Sequence, residues 1–148
     1  MRVETYSDKY FLDVVRIVNN FHSEAYGEYD ALYDPNTVIE TIKAYSSTNA
    51  GTAFLLIDGD VCQGIMFGTT IKSMVNQKTI FQEVIWYVNE PFRRHGVRLL
   101  REAEKMLKLQ GVSIMIMAVL ENSKTEKIKA FYERLGFRPM ETHFVRDI

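Results

Sequence analysis

The chain has 148 residues, the size of one globular domain, and its 47% hydrophobic residues are enough to form a buried core. Its 18 basic and 19 acidic side chains leave a formal net charge of -1, which excludes the basic field typical of nucleic-acid-binding proteins. No run approaches the roughly 18 consecutive apolar residues of a membrane span, so we expect no membrane partner. The one cysteine and the absence of a signal-peptide pattern predict a cytoplasmic protein.

The first third of the chain predicts one strand followed by two helices. The segment "RVETYS" alternates between apolar and polar residues, and Ser7 is placed to cap a helix. Asp34 followed by Pro35 is typical of a second helix start. The apolar positions at helical spacing in the first helix are Phe11, Val14, Val18 and Phe21.

The middle of the chain predicts an antiparallel meander. The strand-like runs "GTAFLLI" and "VCQGIMFGTTI" are joined by Asp58-Gly59, a strong hairpin signal. A third strand, "TIFQEVIWYV", runs from Thr79 to Val88, and Pro91 follows it. Cys62 lies inside an apolar strand, which favours a core position over a nucleophile.

The last third predicts a helix, a buried strand, a second helix and a final strand. The first of these helices is expected from Arg94 to Gln110, with Gly111 as its stop, and "VSIMIMAVL" is expected to be a strand inside a sheet. Ser123 and Glu126 have capping-box spacing for the helix that ends at Gly136, and "FRPMETHFV" follows it as a strand. The resulting order, β-α-α-β-β-β-α-β-α-β, predicts an α/β fold with a mixed sheet and helices on its faces.

The stretch "PFRRHGVRLL" places cations where a helix is expected to begin. Positive side chains are disfavoured near the positive end of a helix dipole, so Arg93, Arg94 and His95 need an explanation. One interpretation is that the free amides of the first turn and the arginines hold an anion, which Gly96 allows to approach closely. The other is a solvated basic patch. The spacing matches neither a phosphate loop of the nucleotide triphosphatases nor a dinucleotide fingerprint.

Taken together, the motifs resemble the GNAT superfamily of N-acetyltransferases. Its signature, Arg or Gln, two residues, Gly, one residue and then Gly or Ala, is similar to Arg93 through Arg98, with Arg98 in place of the final small residue. The segment "AFYERLGF" and the element order also resemble this family, and "EVIWYVNEPFRRHGVRLL" with "ETHFV" looks most like members found in bacteriophage genomes. The resemblance implies a single α/β (α+β) domain over residues 1–148, with helices on both sheet faces and strands four and five splayed apart.

This resemblance also implies acetyl-CoA as a co-substrate. Its pyrophosphate would bind the amides at the helix start, and its pantetheine arm would pair with the fourth strand where the fifth splays away. Arg93 or Arg101 would reach the terminal phosphate. The implied acetyl-CoA-binding residues are Trp86, Tyr87, Val88, Arg93, Arg94, His95, Gly96, Val97, Arg98, Leu99, Asn122 and Phe131.

Two residues are expected to carry the proton transfers. The resemblance assigns the general acid to Tyr132, which would protonate the departing thiolate; the alternative is a half-buried helix aromatic. Glu83 is the candidate base, on the strand face of Ile85 and Tyr87, whereas Gln82 lies on the other face unless a bulge exchanges the two. An ion-paired structural carboxylate remains the alternative for Glu83.

The acceptor is expected to be an amine that binds beside "HSEAYGEYDALYD". A cationic amine such as lysine or a polyamine would suit this acidic, tyrosine-rich segment, although a solvated loop has the same composition. The three histidines, His22, His95 and His143, lack metal-ligand spacing, so we expect no metal. A homodimer and a catalytically silent CoA-binding or partner-binding module remain open hypotheses. The acceptor candidates are Glu24, Glu28, Asp30 and Asp34, with Tyr26, Tyr29 and Tyr33 as walls.

Overall fold

The fold is given by a computed structural model, which describes residues 1–26, 32–122 and 124–148. The backbone forms two compact units, Met1–Ala118 and Val119–Ile148. The strands are β1 (Arg2–Thr5), β2 (Gly51–Asp58), β3 (Val61–Lys72), β4 (Thr79–Val88) and β5 (Ile114–Ile116). The helices are α1 (Phe11–Ala25), α2 (Pro35–Ser46), α3 (Gly96–Leu109) and α4 (Thr125–Arg134), with 3-10 helices at Asp8–Tyr10 and Glu90–His95.

The five described strands form one mixed sheet in the order β1-β2-β3-β4-β5. Neighbours from β1 to β4 are antiparallel, and β5 is parallel to β4. A parallel neighbour needs a crossover, which α3 supplies between β4 and β5. The predicted α/β class, with its mixed sheet and meander, is therefore confirmed.

Local sequence signals fix several of the element boundaries. The carboxylate of Asp34 accepts hydrogen bonds from the Asn36 and Thr37 amides, at 3.3 and 3.1 Å, so the predicted start of α2 is confirmed. The hairpin between β2 and β3 is also confirmed, with Asp58 opposite Val61. The predicted helix cap at Ser7 is wrong, because α1 begins only at Phe11. Ser7 precedes the 3-10 helix, and its side chain makes no capping hydrogen bond there.

Helices cover both faces of the sheet in the first unit. The side chains of α1 and α2 join one core cluster with alternate residues of the strands, including Leu55, Ile65 and Ile85. The intervening strand residues point to the other face, where Phe54 packs against Phe81 with ring centroids 6.2 Å apart. The buried face of α3 consists of Gly96, Leu99, Leu100, Ala103 and Leu107.

Two side chains of α1 hold a bulge in β3. Gln63 is the extra residue, since Leu56 pairs with Gly64 and Ile57 pairs with Cys62. The Cys62 amide donates to Asp13 Oδ2 at 2.9 Å, and the Cys62 carbonyl accepts from Arg16 Nη2 at 2.7 Å. Both backbone groups of Cys62 are thus bonded to α1. Burial also raises the pKa of the Cys62 thiol to about 12, which agrees with a core role.

We expect Asp13→Ala to lower the free energy of unfolding by about 1–3 kcal/mol, because the Cys62 amide loses its acceptor while it stays part-buried. Urea unfolding at neutral pH measures this change. Asp13→Asn keeps an oxygen acceptor and should lose much less. Equal losses for the two variants would contradict a role for this hydrogen bond.

Three predicted elements differ from the structure. The helix expected from Arg94 begins at Gly96, since residues 90–95 form a 3-10 helix, and the strand expected over 112–120 is limited to Ile114–Ile116. The predicted strand "FRPMETHFV" is wrong, because residues 137–148 form no strand ladder in the described chain. Side chains there are exposed, such as Phe144 at 96%, and Pro139 lacks a ladder donor.

In the second unit, α4 ends where the sequence predicts. Gly136 has a φ of +90°, the left-handed conformation that glycine adopts without strain, and its amide donates to the Glu133 carbonyl at 3.0 Å. Gly111, with a φ of +82°, follows α3 in the same way. The predicted cap Ser123 lies outside the described residues.

Candidate active site

The candidate site begins where β4 and β5 separate. Their ladder pairs Ile80 with Ile114, Phe81 with Met115 and Gln82 with Ile116, and it ends there. Strand β4 continues beside β3 to Val88, so within the described sheet its last residues are not paired with β5. This is the splay predicted between strands four and five.

A bulge lies in β4 at the point of separation. Gly68 of β3 pairs with Glu83 and Phe67 pairs with Ile85, which makes Val84 an extra residue. A bulge breaks the two-residue alternation of a strand. Alternation alone therefore does not establish that Glu83 shares a face with Ile85, and this stays a prediction. The side chain is nonetheless buried, with 9% of Glu83 exposed, whereas Gln82 is exposed.

The Glu83 carboxylate is in an environment that favours its neutral form. Burial raises its pKa from 4.5 to about 7, although the hydrogen bond from the Ala118 amide, 2.9 Å from Oε2, acts in the opposite direction. The Tyr26 hydroxyl also has a raised pKa, mainly from burial and further from the charge of Glu83. A carboxyl group that titrates near neutral pH is suited to exchange protons with an amine.

The raised pKa of Glu83 predicts a stability that falls as pH rises. The folded state binds the Glu83 proton more tightly than the unfolded state does. The free energy of unfolding therefore falls between pH 4.5 and about 7, by roughly 3 kcal/mol in total at 1.36 kcal/mol for each pH unit. Because Gln does not titrate, Glu83→Gln should not show this loss, and its free energy of unfolding should rise relative to that of the parent as pH rises across this window. Urea unfolding of both proteins from pH 5 to 8 measures it, and parallel curves would contradict the raised pKa.

The basic segment precedes α3 and does not form its first turn. The sequence predicted Arg93, Arg94 and His95 at the first turn of the α-helix. In the structure they lie in the 3-10 helix that precedes it. The first turn of α3 has no acidic residue, and His95 makes no side-chain capping bond. This contrasts with α2, which Asp34 caps. The Gly96 amide donates to the Arg93 carbonyl at the end of the 3-10 helix, so the amides that follow Gly96 are the candidates for an external anion.

Gly96 lies at the sheet-facing side of this helix start. A Cβ there would be 3.8 Å from Trp86 Cζ2 and 3.8 Å from Val88 Cγ2, an ordinary packing distance. The folded chain thus tolerates a small side chain at Gly96. The side chain of Leu99 is fully buried, so only its backbone could contact a ligand. The side chain of Arg98 is exposed. Arg94 Nε lies 3.1 Å from Nε2 of the adjacent His95.

Arg93 makes a contact that no local sequence pattern predicts. Its Nη2 lies 2.5 Å from Glu24 Oε2 at the end of α1, and its Nε donates to the Val88 carbonyl at 3.4 Å. The Tyr87 hydroxyl donates to the same Glu24 oxygen at 3.0 Å. Two predicted acetyl-CoA-binding residues and one predicted acceptor residue therefore form one cluster. A separation of 69 residues leaves no local signal for the Arg93–Glu24 pair.

An aromatic wall lies beside this cluster. Phe21 of α1 contacts Tyr26, Tyr33 and Tyr87, with ring centroids 5.6, 5.7 and 5.9 Å apart. Tyr26 and Tyr33 stack at 4.2 Å, and His22 stacks on Tyr33 at 5.2 Å. Of the predicted acceptor residues, Asp34 caps α2. Glu28, Tyr29 and Asp30 lie outside the described residues.

The remaining site candidates belong to the second unit. Tyr132 on α4 is flanked by Phe131 and Phe137, with ring centroids 6.5 and 5.5 Å away. Asn122 lies before α4, and its Oδ1 accepts from the Lys124 amide at 2.9 Å. Asn122 thus contributes to the start of this helix. A contact of these residues with a thioester or pantetheine stays a prediction.

The chain matches a known protein family over most of its length. Residues 11–137 match the family model described as the acetyltransferase (GNAT) family. The chain belongs to the GNAT acetyltransferase family. The match covers most of the sequence and includes the basic segment, Glu83 and Tyr132. This membership places the protein among enzymes, as an N-acetyltransferase.

Solved structures of low sequence identity share the GNAT fold. A Bacillus halodurans protein, solved as a tetramutant, is 15% identical with a TM-score of 0.82, and the match covers 100% of both chains. A possible acetyltransferase from Clostridium difficile is 16% identical, with a TM-score of 0.78 over 99% of this chain and 96% of that one. An aminoglycoside 6'-N-acetyltransferase from Acinetobacter haemolyticus is 17% identical, with a TM-score of 0.74 over 100% of this chain and 99% of that one.

Other comparisons add little about the substrate of this GNAT protein. No curated protein matches the sequence significantly. The similarity to bacteriophage members stays a prediction, since the structures above come from bacteria. Among the described residues, no group of three or more His, Cys, Asp or Glu side chains is arranged to hold a metal ion. No helix in the described ranges is long and apolar enough to cross a membrane.

Proposed function

We propose that this protein transfers the acetyl group of acetyl-CoA to a primary amine by direct attack of the amine. The observation that carries the proposal is the separation of β4 from β5 at Glu83, a buried carboxyl group that titrates near pH 7, followed in the chain by the uncapped start of α3. A strand edge, a proton acceptor and an anion site thus follow one another in 14 residues between Glu83 and Gly96, counted inclusively.

The residues at the start of α3 fit the pyrophosphate of a CoA molecule. The amides that follow Gly96 would bind the phosphate oxygens, and a side chain larger than Ala at Gly96 would extend toward Trp86 and Val88 on the proposed pantetheine edge. Arg94 and Arg98 add positive charge that favours a phosphate. The β4 edge at Trp86 and Val88 would bind the pantetheine amides. Arg93 or Arg101 would reach the terminal phosphate. The other proposed binding residues are Tyr87, His95, Val97, Leu99, Asn122 and Phe131.

The proton transfers are assigned to Glu83 and Tyr132. An attacking amine must lose a proton, and Glu83 would take it, directly or through a water molecule. Tyr132 would supply a proton to the departing sulfur. The raised pKa of Glu83 supports the first assignment, whereas the second depends on the match of "FYERLGF" to the family.

The acceptor is proposed to be a cationic amine that binds along the aromatic wall of Phe21, Tyr26 and Tyr87. Aromatic faces and carboxylates both attract ammonium groups. We place the protein in the cytoplasm without nucleic-acid or membrane partners, with a homodimer as one oligomeric form. The near-neutral charge supports the absence of a nucleic-acid partner, and the single buried cysteine supports the cytoplasmic assignment.

Thiol release from acetyl-CoA tests the proposed function. We expect an amine-dependent release of free CoA with at least one member of a panel of monoamines, diamines, lysine peptides and aminoglycosides. Acetyl-CoA binding without release for any amine would instead support a silent CoA-binding module. The absence of both binding and release would exclude both functions.

A further inference from the structure

Asn89 lies at the junction between the end of β4 and the 3-10 helix that leads to α3. Its backbone amide donates to the Gln63 carbonyl at 2.9 Å, which continues the β3–β4 hydrogen bonding past the last residue of β4. Its carbonyl accepts from the Phe92 amide at 2.9 Å. The residue is buried, with 9% of Asn89 exposed, so its side-chain amide is costly unless both the oxygen and the nitrogen have hydrogen-bond partners.

Among the described residues, the Asn89 side chain accepts no capping hydrogen bond from the 3-10 helix that follows it. Asparagine is common at the residue before a helix, because its side-chain oxygen accepts from an amide of the first turn. Asn89 occupies this position without making that bond. Helix capping therefore does not account for an asparagine here.

The Asn89 side chain instead connects two other elements of the fold. Its Oδ1 accepts from Asn20 Nδ2 of α1 at 3.2 Å, and its Nδ2 donates to Gln63 Oε1 of β3 at 3.0 Å. Gln63 is the extra residue of the β3 bulge. Bulges commonly re-aim a side chain next to a functional site. One buried residue thus ties the junction between β4 and α3 to both α1 and β3.

The junction at Asn89 sets where the start of α3 lies relative to the edge of β4. Residues 89–95 connect Val88, at the end of the proposed pantetheine edge, to Gly96, where α3 begins. Acetyl-CoA would contact both sides of this junction, because its pyrophosphate and its pantetheine arm belong to one molecule. The apparent affinity of such a ligand falls with the fraction of protein molecules in which the two sites are correctly arranged.

The Arg93–Glu24 pair is less suited than Asn89 to hold this arrangement. It also connects the 3-10 helix to α1, but the two side chains are 45% and 31% exposed, and an exposed ion pair contributes little free energy. Arg93 is also a candidate to contact a phosphate of CoA. Asn89 is buried and neutral, so its hydrogen bonds are compatible with a bound ligand.

We propose that Asn89 is a positioning residue for acetyl-CoA, which holds the start of α3 in place relative to the β4 edge through its bonds to Asn20 and Gln63. This inference rests on the proposed function and adds a residue that acts without touching the ligand. Loss of the side chain allows the junction to adopt other arrangements, so only a fraction of the folded molecules is ready to bind acetyl-CoA. Binding weakens, whereas the chemistry of the bound complex stays the same.

The first test is acetyl-CoA binding by calorimetry. Asn89→Ala should raise the dissociation constant about tenfold, which corresponds to a binding-ready fraction of about one tenth. Asn20→Ala removes one of the two side-chain bonds and should raise it about two- to fourfold. In an Asn89→Ala background the Asn20 change should have no further effect, because Asn20 acts through Asn89.

Three outcomes of this titration overturn the proposal. The first is an unchanged dissociation constant for a folded Asn89→Ala variant, and the second is an Asn20→Ala effect that persists in the Asn89→Ala background. If Asn89→Ala does not fold, Gln63→Ala replaces it, since this change keeps the backbone bond to Asn89 and should raise the dissociation constant about two- to fourfold. Parent-like binding by both Asn20→Ala and Gln63→Ala is the third.

The second test separates binding from turnover by steady-state rates of thiol release. Asn89→Ala should raise the KM of acetyl-CoA about tenfold and leave kcat at saturating acetyl-CoA within about twofold of the parent. A fall in kcat as large as the rise in KM overturns the positioning role, because Asn89 would then affect the bound complex itself.

Tyr10→Phe is the matched control for the loss of buried hydrogen bonds. The Tyr10 side chain is also buried, and its hydroxyl is bonded to Glu4 Oε2 at 3.2 Å and to Arg2 Nη2 at 3.3 Å. Tyr10→Phe removes these bonds in the 3-10 helix before α1 and should leave acetyl-CoA binding unchanged. An equal loss of affinity in Tyr10→Phe and Asn89→Ala assigns the effect to general destabilisation and overturns the proposal.

Failure of this inference can be distinguished from failure of the proposed function. A parent protein that neither binds acetyl-CoA nor releases CoA defeats the proposed function. A parent protein that binds acetyl-CoA, with Asn89→Ala indistinguishable from Tyr10→Phe, defeats only the role of Asn89.

Discussion

Replacing Gly96 with Val is expected to weaken acetyl-CoA binding by about 10- to 100-fold, the cost of forcing a branched side chain into an occupied contact. A Cβ at this position lies 3.8 Å from its nearest neighbours, Trp86 and Val88, so Gly96→Ala should fold normally, whereas the added γ carbons of Val make a check of the fold necessary. Calorimetric titration measures the affinity, and circular dichroism with a melting curve checks the fold.

Gly96→Ala provides the graded control for this change. Its single methyl group should cost less affinity than the branched side chain of Val. Normal acetyl-CoA binding by a folded Gly96→Val variant would mean that the pyrophosphate binds elsewhere. The uncapped start of α3 would then be a solvated helix end, and the basic segment a surface patch.

Replacing Tyr132 with Phe is expected to lower kcat by about 10²–10⁴-fold, the usual contribution of a general acid. The ring contacts with Phe131 and Phe137 remain, because only the hydroxyl is removed. Acetyl-CoA affinity should change little, since the lost interaction matters mainly in the transition state. Steady-state rates with one amine at saturating acetyl-CoA measure the effect.

Two further variants make the Tyr132 result specific. Tyr45→Phe removes a hydroxyl from α2, beside Phe67, and should leave kcat unchanged. Above pH 7, where Glu83 is ionised in the parent, Glu83→Gln should lose activity with a deficit that shrinks as pH rises, because more of the amine is already deprotonated. Parent-like turnover by Tyr132→Phe would remove this residue from the mechanism. A deficit of Glu83→Gln that is independent of pH would assign Glu83 a positioning role.

Features set by neighbouring residues were predictable from the sequence. Asp34 caps α2 because its carboxylate reaches the amides two and three residues later. The β2–β3 hairpin forms because a two-residue turn needs no distant contact. Periodicity also predicted the buried face of α3, since that face follows from helix geometry alone.

Features that depend on distant contacts were not predictable in the same way. The bulge at Val84 depends on the pairing of β4 with β3, so alternation along β4 alone could not establish the orientation of Glu83. The Arg93–Glu24 pair joins α1 to the 3-10 helix before α3, and neither residue carries a signal for the other. The predicted final strand had a suitable alternation but forms no ladder, because alternation alone supplies no partner.

An acetyl-CoA site at the start of α3 should be detectable as an increase in thermal stability when acetyl-CoA is added. A ligand at about 100 times its dissociation constant stabilises the folded state by roughly 2.7 kcal/mol, which raises the melting temperature by several degrees. Desulfo-CoA should give a similar rise, because the proposed site binds the pyrophosphate and the pantetheine arm. Glu104→Gln, which breaks an exposed ion pair with Lys108 at 2.9 Å on α3, should retain the rise, and Gly96→Val should give a much smaller one. An unchanged melting temperature of the parent protein at millimolar acetyl-CoA would exclude an acetyl-CoA site at the start of α3.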